Sequence, residues 1–585
     1  MSAKHFINDP DHLVLSALKA VTHTNPTTAF DKDNRVVYIR PDAVKPQVSL
    51  VAGGGAGHEP SFAGFVGRGL LSGAVAGTIF ASPSAEQIRR CILERVETSK
   101  GVLVIVMNYT GDVLNFGMGV EKARAAGMEV EMIVMGDDTG VGRAKGGKVG
   151  RRGIAGTVLV TKIAGAMAAN GASLQDTHKV AKLAADNIVS IGSSLAHVHV
   201  PGRAKTGNPD DLRMDEVEIG MGIHNEPGSD KTTAELPGLV GTMLKYMLDQ
   251  SDKDRAFINI TPSDETVLLV NNLGGVSPLE LGGITNEVVE QLENTWKIVP
   301  KRIVSGCFMT SLNQLGFSIS LLKLQDTGLG VSMLDLIDAP SESPAWSPSV
   351  RGETWKSPPT QTRKRGASAS GGNKACGLTI DPNLATKSLQ MALKTLIMAE
   401  PEITRYDTVV GDGDCGIGLK RGAEGVLNHL SAAQEQEDAG LYLDKIINVV
   451  ENTMDGTSGA VYAIFLNALA HGLRMQGNGG SKHADTSVWA KAAGVALKSM
   501  GNYTPAKPGD RTLVDALAPF IEELNASNDV QKAAKAAMEG AKSTKGMKAQ
   551  LGRTVYVGGS GYAEVPDPGA YGLSQFFSGL ADGLR

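Results

Sequence analysis

Asp407, Asp412 and Asp414 fall within eight residues of one another, with Gly411, Gly413 and Gly416 among them. Hard oxygen donors at this spacing can converge on a divalent cation of the magnesium kind, because glycine lets the chain fold tightly enough to bring them together. Magnesium keeps few protein ligands and shares the rest with water and substrate phosphates, so the cluster predicts a metal–nucleotide ligand; a solvated Asp-Gly turn is the alternative for this segment alone. Gly411 to Gly416 also satisfies G-x-G-x-x-G, but two carboxylates inside the loop would repel a bare pyrophosphate, which argues against a dinucleotide loop. Gly456-Thr457-Ser458-Gly459 opens a helical stretch and offers hydroxyls and free N–H groups at a helix N-terminus, either a phosphate cradle or an ordinary cap. Gly509 to Asp515, with Leu513 inside it, and Asp567-Pro568-Gly569 are two more polar glycine loops, readable as site or as punctuation between helices.

In the first half of the chain, reactive groups gather at the ends of apolar runs. Gly53 to Pro60 contains Gly55, Ala56 and Gly57, where backbone can approach a small ligand, followed by His58, a proton-transfer group near neutral pH. Asn108 to Asp112 supplies a carboxylate of general-base type, and Gly220 to Gly228 places His224 between glycines. For each of these, a hydrogen-bonded structural residue is the competing reading. His197 and His199 would share a strand face, but no third metal ligand accompanies them. Gly142 to Lys148 satisfies G-x-x-x-x-G-K, yet Val149 stands where a P-loop needs a hydroxyl for Mg²⁺, so this is a basic glycine loop instead.

The elements that must hold these groups follow from periodicity. Between residues 47 and 324, β-branched runs alternate with glycine loops and helical stretches, an α/β pattern. Val48 to Ala52, Val102 to Met107, Val130 to Met135, Thr266 to Asn271 and Phe317 to Leu322 read as strands buried on both faces. Ligands in such sheets sit beyond the carboxyl ends of the strands, where the histidines and Asp112 lie. Residues 338–378 are rich in proline, serine and glycine, carry Arg363-Lys364-Arg365, and read as a linker with a solvated charge run. After Pro382 helical stripes take over, among them Leu389, Leu393, Leu396 and Ile397, then Leu443, Ile446, Ile447 and Val450, so an all-α domain is expected.

Composition bounds the function. The 585 residues are 42% hydrophobic and 20% charged with net charge −5, without the basic excess that nucleic acid or an anionic membrane would call for. Glycine is the outlier, 71 of 585 or about 12% against a usual ~7%. Cys91, Cys307, Cys376 and Cys415 form no Cys-x-x-Cys pair, which suggests neither a disulfide framework nor a zinc site. No apolar stretch is long enough to span a bilayer, no signal-peptide core follows Met1 and no Ser-Lys-Leu tail ends the chain, so a cytoplasmic enzyme is expected.

Gly53 to Pro60, Gly64 to Pro83, Asn108 to Phe116, Gly136 to Thr157, Gly220 to Gly228, Asn271 to Val276, Gly411 to Gly416, Gly456 to Gly459 and Asp567 to Gly569 occur in an order that resembles the single-chain, ATP-dependent dihydroxyacetone kinases (glycerone kinases, triokinases) over almost the whole length. The resemblance implies a two-lobed α/β substrate domain over 1–337 with a lobe boundary near 190–200, a linker over 338–378, and an all-helical barrel over 379–585 holding ATP and two Mg²⁺ ions. It implies that His224 forms a covalent hemiaminal with the substrate carbonyl, that Asp112 takes the proton of the attacking hydroxyl, and that His58 assists in acid–base work. Gly55, Ala56 and Gly57 would contact substrate. Asp407, Asp412 and Asp414 would hold the metal ions, while Asp412, Gly413, Asp414, Cys415, Thr457, Ser458, Leu513, Asp567, Pro568 and Gly569 would line the ATP site. Dihydroxyacetone, and glyceraldehyde beside it, are the expected substrates, and a homodimer the expected assembly.

Three positions depart from the family pattern. Met107 stands where many relatives have lysine, removing a positive charge near substrate or transferred phosphate. Asp455 adds a negative charge beside the phosphate cradle, and Gly558 to Val565 is richer in glycine than usual. The alternatives are a Mn²⁺-dependent lyase that cyclises FAD-type ribonucleotide diphosphates at the same carboxylates, and a catalytically weak protein that binds partners or senses dihydroxyacetone.

Overall fold

Among the described residues of the first half of the chain, twelve strands form two six-stranded sheets. The first holds Thr28–Asp31 (β1), Val36–Ile39 (β2), Ser49–Ala56 (β3), Gly73–Ile79 (β4), Val102–Met107 (β5) and Val130–Met135 (β6), in the order β1-β2-β4-β3-β5-β6. The strands from β4 to β6 are parallel, and β1 and β2 extend the edge antiparallel. The second holds Ile188–Ser194 (β7), Val217–Ile219 (β8), Asp230–Thr232 (β9), Thr266–Asn272 (β10), Arg302–Gly306 (β11) and Gly316–Lys323 (β12), in the order β11-β10-β12-β7-β8-β9. Only the β10–β11 pair is parallel there.

This computed structural model describes residues 5–203, 212–346, 350, 352–355, 375–432, 436–454, 456–477, 482–551, 553–556 and 561–585. Arg363, Lys364, Arg365, Asp455 and residues 558–560, singled out in the sequence, lie outside the described residues. Two compact units divide the chain, Met1–Gln361 and Thr362–Arg585.

All six residues of β5 are buried, as its unbroken apolar run requires for a strand covered on both faces. Ser49–Ala56 owes its glycines to crowding: a Cβ at Gly53 would lie 3.0 Å from the ring of Phe116 on the Thr110–Ala125 helix. The Gly156–Ala169 helix is buried on nearly every residue and packs on strands of both sheets, so one apolar core joins the two lobes. Its one charged residue, Lys162, donates to the Leu336 carbonyl at 2.7 Å, and burial pushes its amine down to about 8. The start of the proline-rich segment packs on the same unit: Glu342 N–H donates to the Arg68 carbonyl at 2.9 Å and Ser343 Oγ to that of Gly64 at 2.8 Å.

Among the described residues of the second unit, eight helices follow one another: Pro382–Val410, Cys415–Ala432, Ala439–Thr453, Gly456–Gln476, Thr486–Met500, Val514–Ser527, Val530–Ser543 and Pro568–Gly583. Each packs on the next and the last packs on the first, closing a ring. Small residues permit the closure, since a Cβ at Gly579 would lie 2.8 Å from the Ala392 Cα. Leu393 and Leu396, and Leu443, Ile446, Ile447 and Val450, are buried as their spacing predicts. Asp381, Asp438, Asp485, Asp529 and Asp567 cap five of these helices with their side chains. A two-residue parallel pair, Leu378–Thr379 with Lys482–His483, is the small addition to the expected all-helical content.

Candidate active site

Two loops from different sheets meet around a pair of histidines. His58 follows β3, is fully buried, and its Nδ1–H donates to the Thr310 carbonyl at 2.8 Å. His224 follows β8, and its Nδ1–H donates to Glu226 Oε1 at 2.9 Å. The two Nε2 atoms lie 3.0 Å apart. Phe80 stacks on His58 at 5.4 Å, and Phe80 and Tyr109 stand edge-to-face against His224 at 5.3 and 4.6 Å.

The segment 308–314, between β11 and β12, fixes both loops. Thr310 N–H donates to the His58 carbonyl at 3.1 Å, Leu312 N–H to that of Gly57 at 2.7 Å, and Ser311 Oγ to that of Ile223 at 2.6 Å. The glycines before His58 answer to close approach: Gly57 has φ +104° and a Cβ there would lie 2.8 Å from Phe80 Cε1, while one at Gly55 would lie 2.7 Å from Ala81 N. Ala56 is buried within β3. Burial, then the neighbouring charge of His224, pulls His58 down to about 3, so this ring is neutral.

Asp112 occupies the first turn of the Thr110–Ala125 helix and is buried. Burial raises its pKa, opposed by a hydrogen bond with Ser82 and the charge of His224. Its Oδ1 has no hydrogen-bond partner among the described residues, an acceptor free to receive a proton. His58, Asp112 and His224 are thus brought together. His197 and His199 are not a pair: His197 lies 3.6 Å from Glu218, and His199 bonds His5 at 3.0 Å and the Arg203 carbonyl at 2.9 Å.

In the second unit, Asp407 lies in the last turn of the Pro382–Val410 helix, and carboxylate oxygens of Asp407, Asp412 and Asp414 lie within 4.8 Å of one another. Asp407 is buried and its Oδ2 accepts the Cys415 N–H at 3.0 Å; a Cβ at Gly411 would lie 2.5 Å from its Oδ1. Gly413 turns the chain with φ +79°. Burial, then the charges of Asp407 and Asp567, pushes the Cys415 thiol up to about 12, and Ser458 hydrogen-bonds it, which places the Gly456–Gln476 helix N-terminus, with Thr457 exposed on it, beside the carboxylates. Three hard oxygens with that space between them fit a magnesium-type ion. Asp567 accepts the Ala570 N–H at 2.8 Å and is pushed up to about 6 by burial; a Cβ at Gly569 would lie 3.4 Å from Leu513 Cβ, and Pro568 is buried in the same turn.

Sequence reasoning missed Glu226, Thr310, Phe80, Tyr109 and Arg511 as site residues. Arg511 is buried and donates to the Val565 and Thr544 carbonyls at 2.8 and 3.2 Å, with its charge near Asp567. Glu226 carried a signal, a carboxylate two residues after a histidine between glycines. Thr310 carried none, because it acts through its main-chain carbonyl.

Residues 19–345 match the Dak1 domain family and residues 409–582 the DAK2 domain family. A dihydroxyacetone kinase of Pichia angusta is 43% identical over 605 residues, covering 100% of this chain and 98% of the relative. A Homo sapiens protein named triokinase/FMN cyclase is 34% identical over 605 residues, covering 100% of both. The crystal structure of the dihydroxyacetone kinase from C. freundii in complex with AMP-PNP and Mg²⁺ superposes with a TM-score of 0.64 at 29% identity, over 99% of this chain and 100% of that one.

Proposed function

Because the chain belongs to the dihydroxyacetone kinase family, with a Dak1 domain followed by a DAK2 domain, we propose that it transfers the γ-phosphoryl group of ATP to dihydroxyacetone held covalently on His224. Glyceraldehyde is the second substrate of this reading. The observation that carries it is the His58–His224 pair with Asp112 beside it.

A count of protons gives the chemistry. The Nδ1–H of each ring is committed, one to the Thr310 carbonyl and one to Glu226, so the Nε2–Nε2 hydrogen bond needs a third proton shared between the rings. His58 is neutral at rest and takes that proton from His224 as the freed His224 Nε2 lone pair adds to the substrate carbonyl carbon. The carbon–oxygen π pair moves to oxygen, which takes the proton from His58 Nε2, and no proton enters or leaves. Glycerol has the hydroxyls of dihydroxyacetone but no carbonyl, so it cannot form this bond. Asp112 Oδ1 then takes the proton of a substrate hydroxyl as that oxygen bonds to phosphorus and ADP departs.

Asp407, Asp412 and Asp414 are assigned to two Mg²⁺ ions, which supply charge neutralisation of the phosphate oxygens. Thr457, Ser458 and the helix N–H groups beside them cradle phosphate, with Gly413, Cys415, Leu513, Asp567, Pro568 and Gly569 lining the nucleotide. The proposed division of labour is substrate binding over 1–337, in lobes parting near 190–200, a linker over 338–378 and nucleotide binding over 379–585. A cytoplasmic setting is part of the proposal; among the described residues no helix is long and apolar enough to cross a membrane. The assembly proposed is a homodimer, checked by a solution mass of two chains.

A coupled ADP-release assay comparing dihydroxyacetone with glycerol tests the reading. Turnover with dihydroxyacetone alone is expected; equal turnover of both, or full activity in His224→Ala, would sink it. The human relative's name keeps a second reading open: with Mn²⁺ and FAD, the cyclising lyase would release AMP and cyclic FMN. The regulator reading is disfavoured, since His58, Asp112, His224 and the three aspartates are all retained.

A further inference from the structure

Glu226 grips its neighbour twice. Oε1 accepts the His224 Nδ1–H and Oε2 accepts the His224 backbone N–H, both at 2.9 Å. The turn that folds it back is held from the other side by Asn225, which has φ +63° and exchanges two bonds with Val198, its Oδ1 accepting N–H at 3.0 Å and its Nδ2 donating to the carbonyl at 3.1 Å. Gly222 N–H donates to the Glu226 carbonyl at 2.9 Å, and a Cβ at Gly222 would lie 2.6 Å from Arg152 Nη1 and overlap the Glu226 carboxylate. Burial pushes the Glu226 carboxyl up, but the hydrogen bond and charge of His224 and the backbone N–H bring it down to about 2, so it is an anion under working conditions.

We propose that Glu226 is a positioning residue for the carbonyl addition: it fixes His224 with Nε2 toward the substrate, and it is the counter-charge of the covalent adduct. This rests on the reading that His224 adds to the carbonyl. Once Nε2 is bonded to carbon, the ring is a cation whose only N–H is at Nδ1, facing Glu226. A protonated histidine can discharge through either nitrogen; this adduct cannot use Nε2. His58 is neutral after giving up its proton, Asp112 faces the hydroxyl, and Arg152 is engaged with Asp138 at 2.7 Å, which leaves Glu226 as the carboxylate bonded to the alkylated ring.

The test separates charge from shape. Full-length wild type, Glu226→Gln, Glu226→Asp and His224→Ala are incubated with dihydroxyacetone labelled with carbon-13 at its carbonyl, and the protein-bound tetrahedral-carbon signal is measured, with thermal unfolding recorded for each. If Glu226 acts by charge, Glu226→Gln weakens adduct formation by about 10- to 100-fold, in line with loss of one charged hydrogen bond. Glu226→Asp, which changes the shape more but keeps the charge, retains more adduct than Glu226→Gln. KM for dihydroxyacetone rises in the same order while KM for ATP stays put. Glu226→Gln equal to wild type, or better than Glu226→Asp at similar unfolding temperature, overturns the proposal. A wild type without the signal, or His224→Ala with it, overturns the covalent reading itself, so the two failures are distinguishable.

Discussion

The Nε2 atoms of His58 and His224 share a hydrogen bond of 3.0 Å across 166 residues of chain, and the two rings descend from different sheets. Neither lobe therefore carries a site alone. The 308–314 segment makes the bond possible by holding the His58 loop through Thr310 and Leu312 and the His224 loop through Ser311. A ring hydrogen-bonded on both nitrogens has no rotational freedom left, so the nucleophile and its proton donor are placed before substrate arrives.

That burial has a signature in stability. An unfolded histidine titrates near 6.5, whereas His58 in the fold is lowered to about 3. The unfolded chain then binds the extra proton first as pH falls. The stabilisation is complete above about 6.5 and is lost, by about 1.4 kcal/mol per pH unit, until pH reaches the folded value. Denaturant unfolding of wild type and His58→Asn between pH 7 and 4 should give converging stabilities as pH falls. Parallel curves would show that this ring is not held neutral.

Asp112→Asn should divide the reaction in two. The amide cannot take the hydroxyl proton, so kcat falls by about 10²- to 10⁴-fold, the usual worth of a general base. The adduct on His224 forms before that step, through the two histidines and Glu226, so the tetrahedral-carbon signal persists. Loss of adduct in proportion to loss of rate would mean that Asp112 works in the addition.

Legibility followed the way each residue acts. β5 and β6 were readable to the residue from their apolar runs, but β6 is the edge strand and is not buried on both faces as expected, since Val134 is exposed and Glu131 half-buried there; β4 and β7 were not readable, since Gly73–Ile79 and Ile188–Ser194 carry glycine and serine inside a buried sheet. The serines are satisfied there across the ladder, Ser190 Oγ bonding Ser320 Oγ at 2.7 Å, so low hydropathy does not mean exposure. His58, Asp112, His224 and the three aspartates announced themselves as titratable groups among glycines. Glu226 showed in the sequence as a carboxylate two residues after His224, but its grip on that ring depends on the left-handed turn at Asn225, and Thr310 contributes a carbonyl that any residue has. The glycine excess was partly a record of such contacts, as the ring of Phe80 over Gly57 illustrates.

Gly57→Ala tests that contact. The left-handed φ of +104° disfavours a side chain, and the new Cβ would press on Phe80, which itself stacks on His58. The cost expected is at least about 1 kcal/mol in stability, with KM for dihydroxyacetone raised and binding of an ATP analogue unchanged. Unaltered dihydroxyacetone kinetics would mean the loop has slack that its packing denies.

The aspartate cluster makes the last prediction, because its members are not equivalent. Asp412 and Asp414 are exposed, while Asp407 is buried and accepts the Cys415 N–H that starts the next helix. Asp414→Ala removes an oxygen ligand and little else, so the Mg²⁺ concentration for half-maximal ADP release should rise while unfolding in chelator is unchanged. Asp407→Ala removes a ligand and also strands a main-chain N–H, worth about 1 to 3 kcal/mol when buried. Its unfolding temperature should therefore fall even with no metal present. A magnesium titration and a chelator-treated thermal scan on both variants decide the matter: if Asp407→Ala unfolds like wild type in chelator, the Asp407–Cys415 bond does not hold the loop, and if Asp414→Ala needs no more Mg²⁺ than wild type, Asp414 is not a ligand.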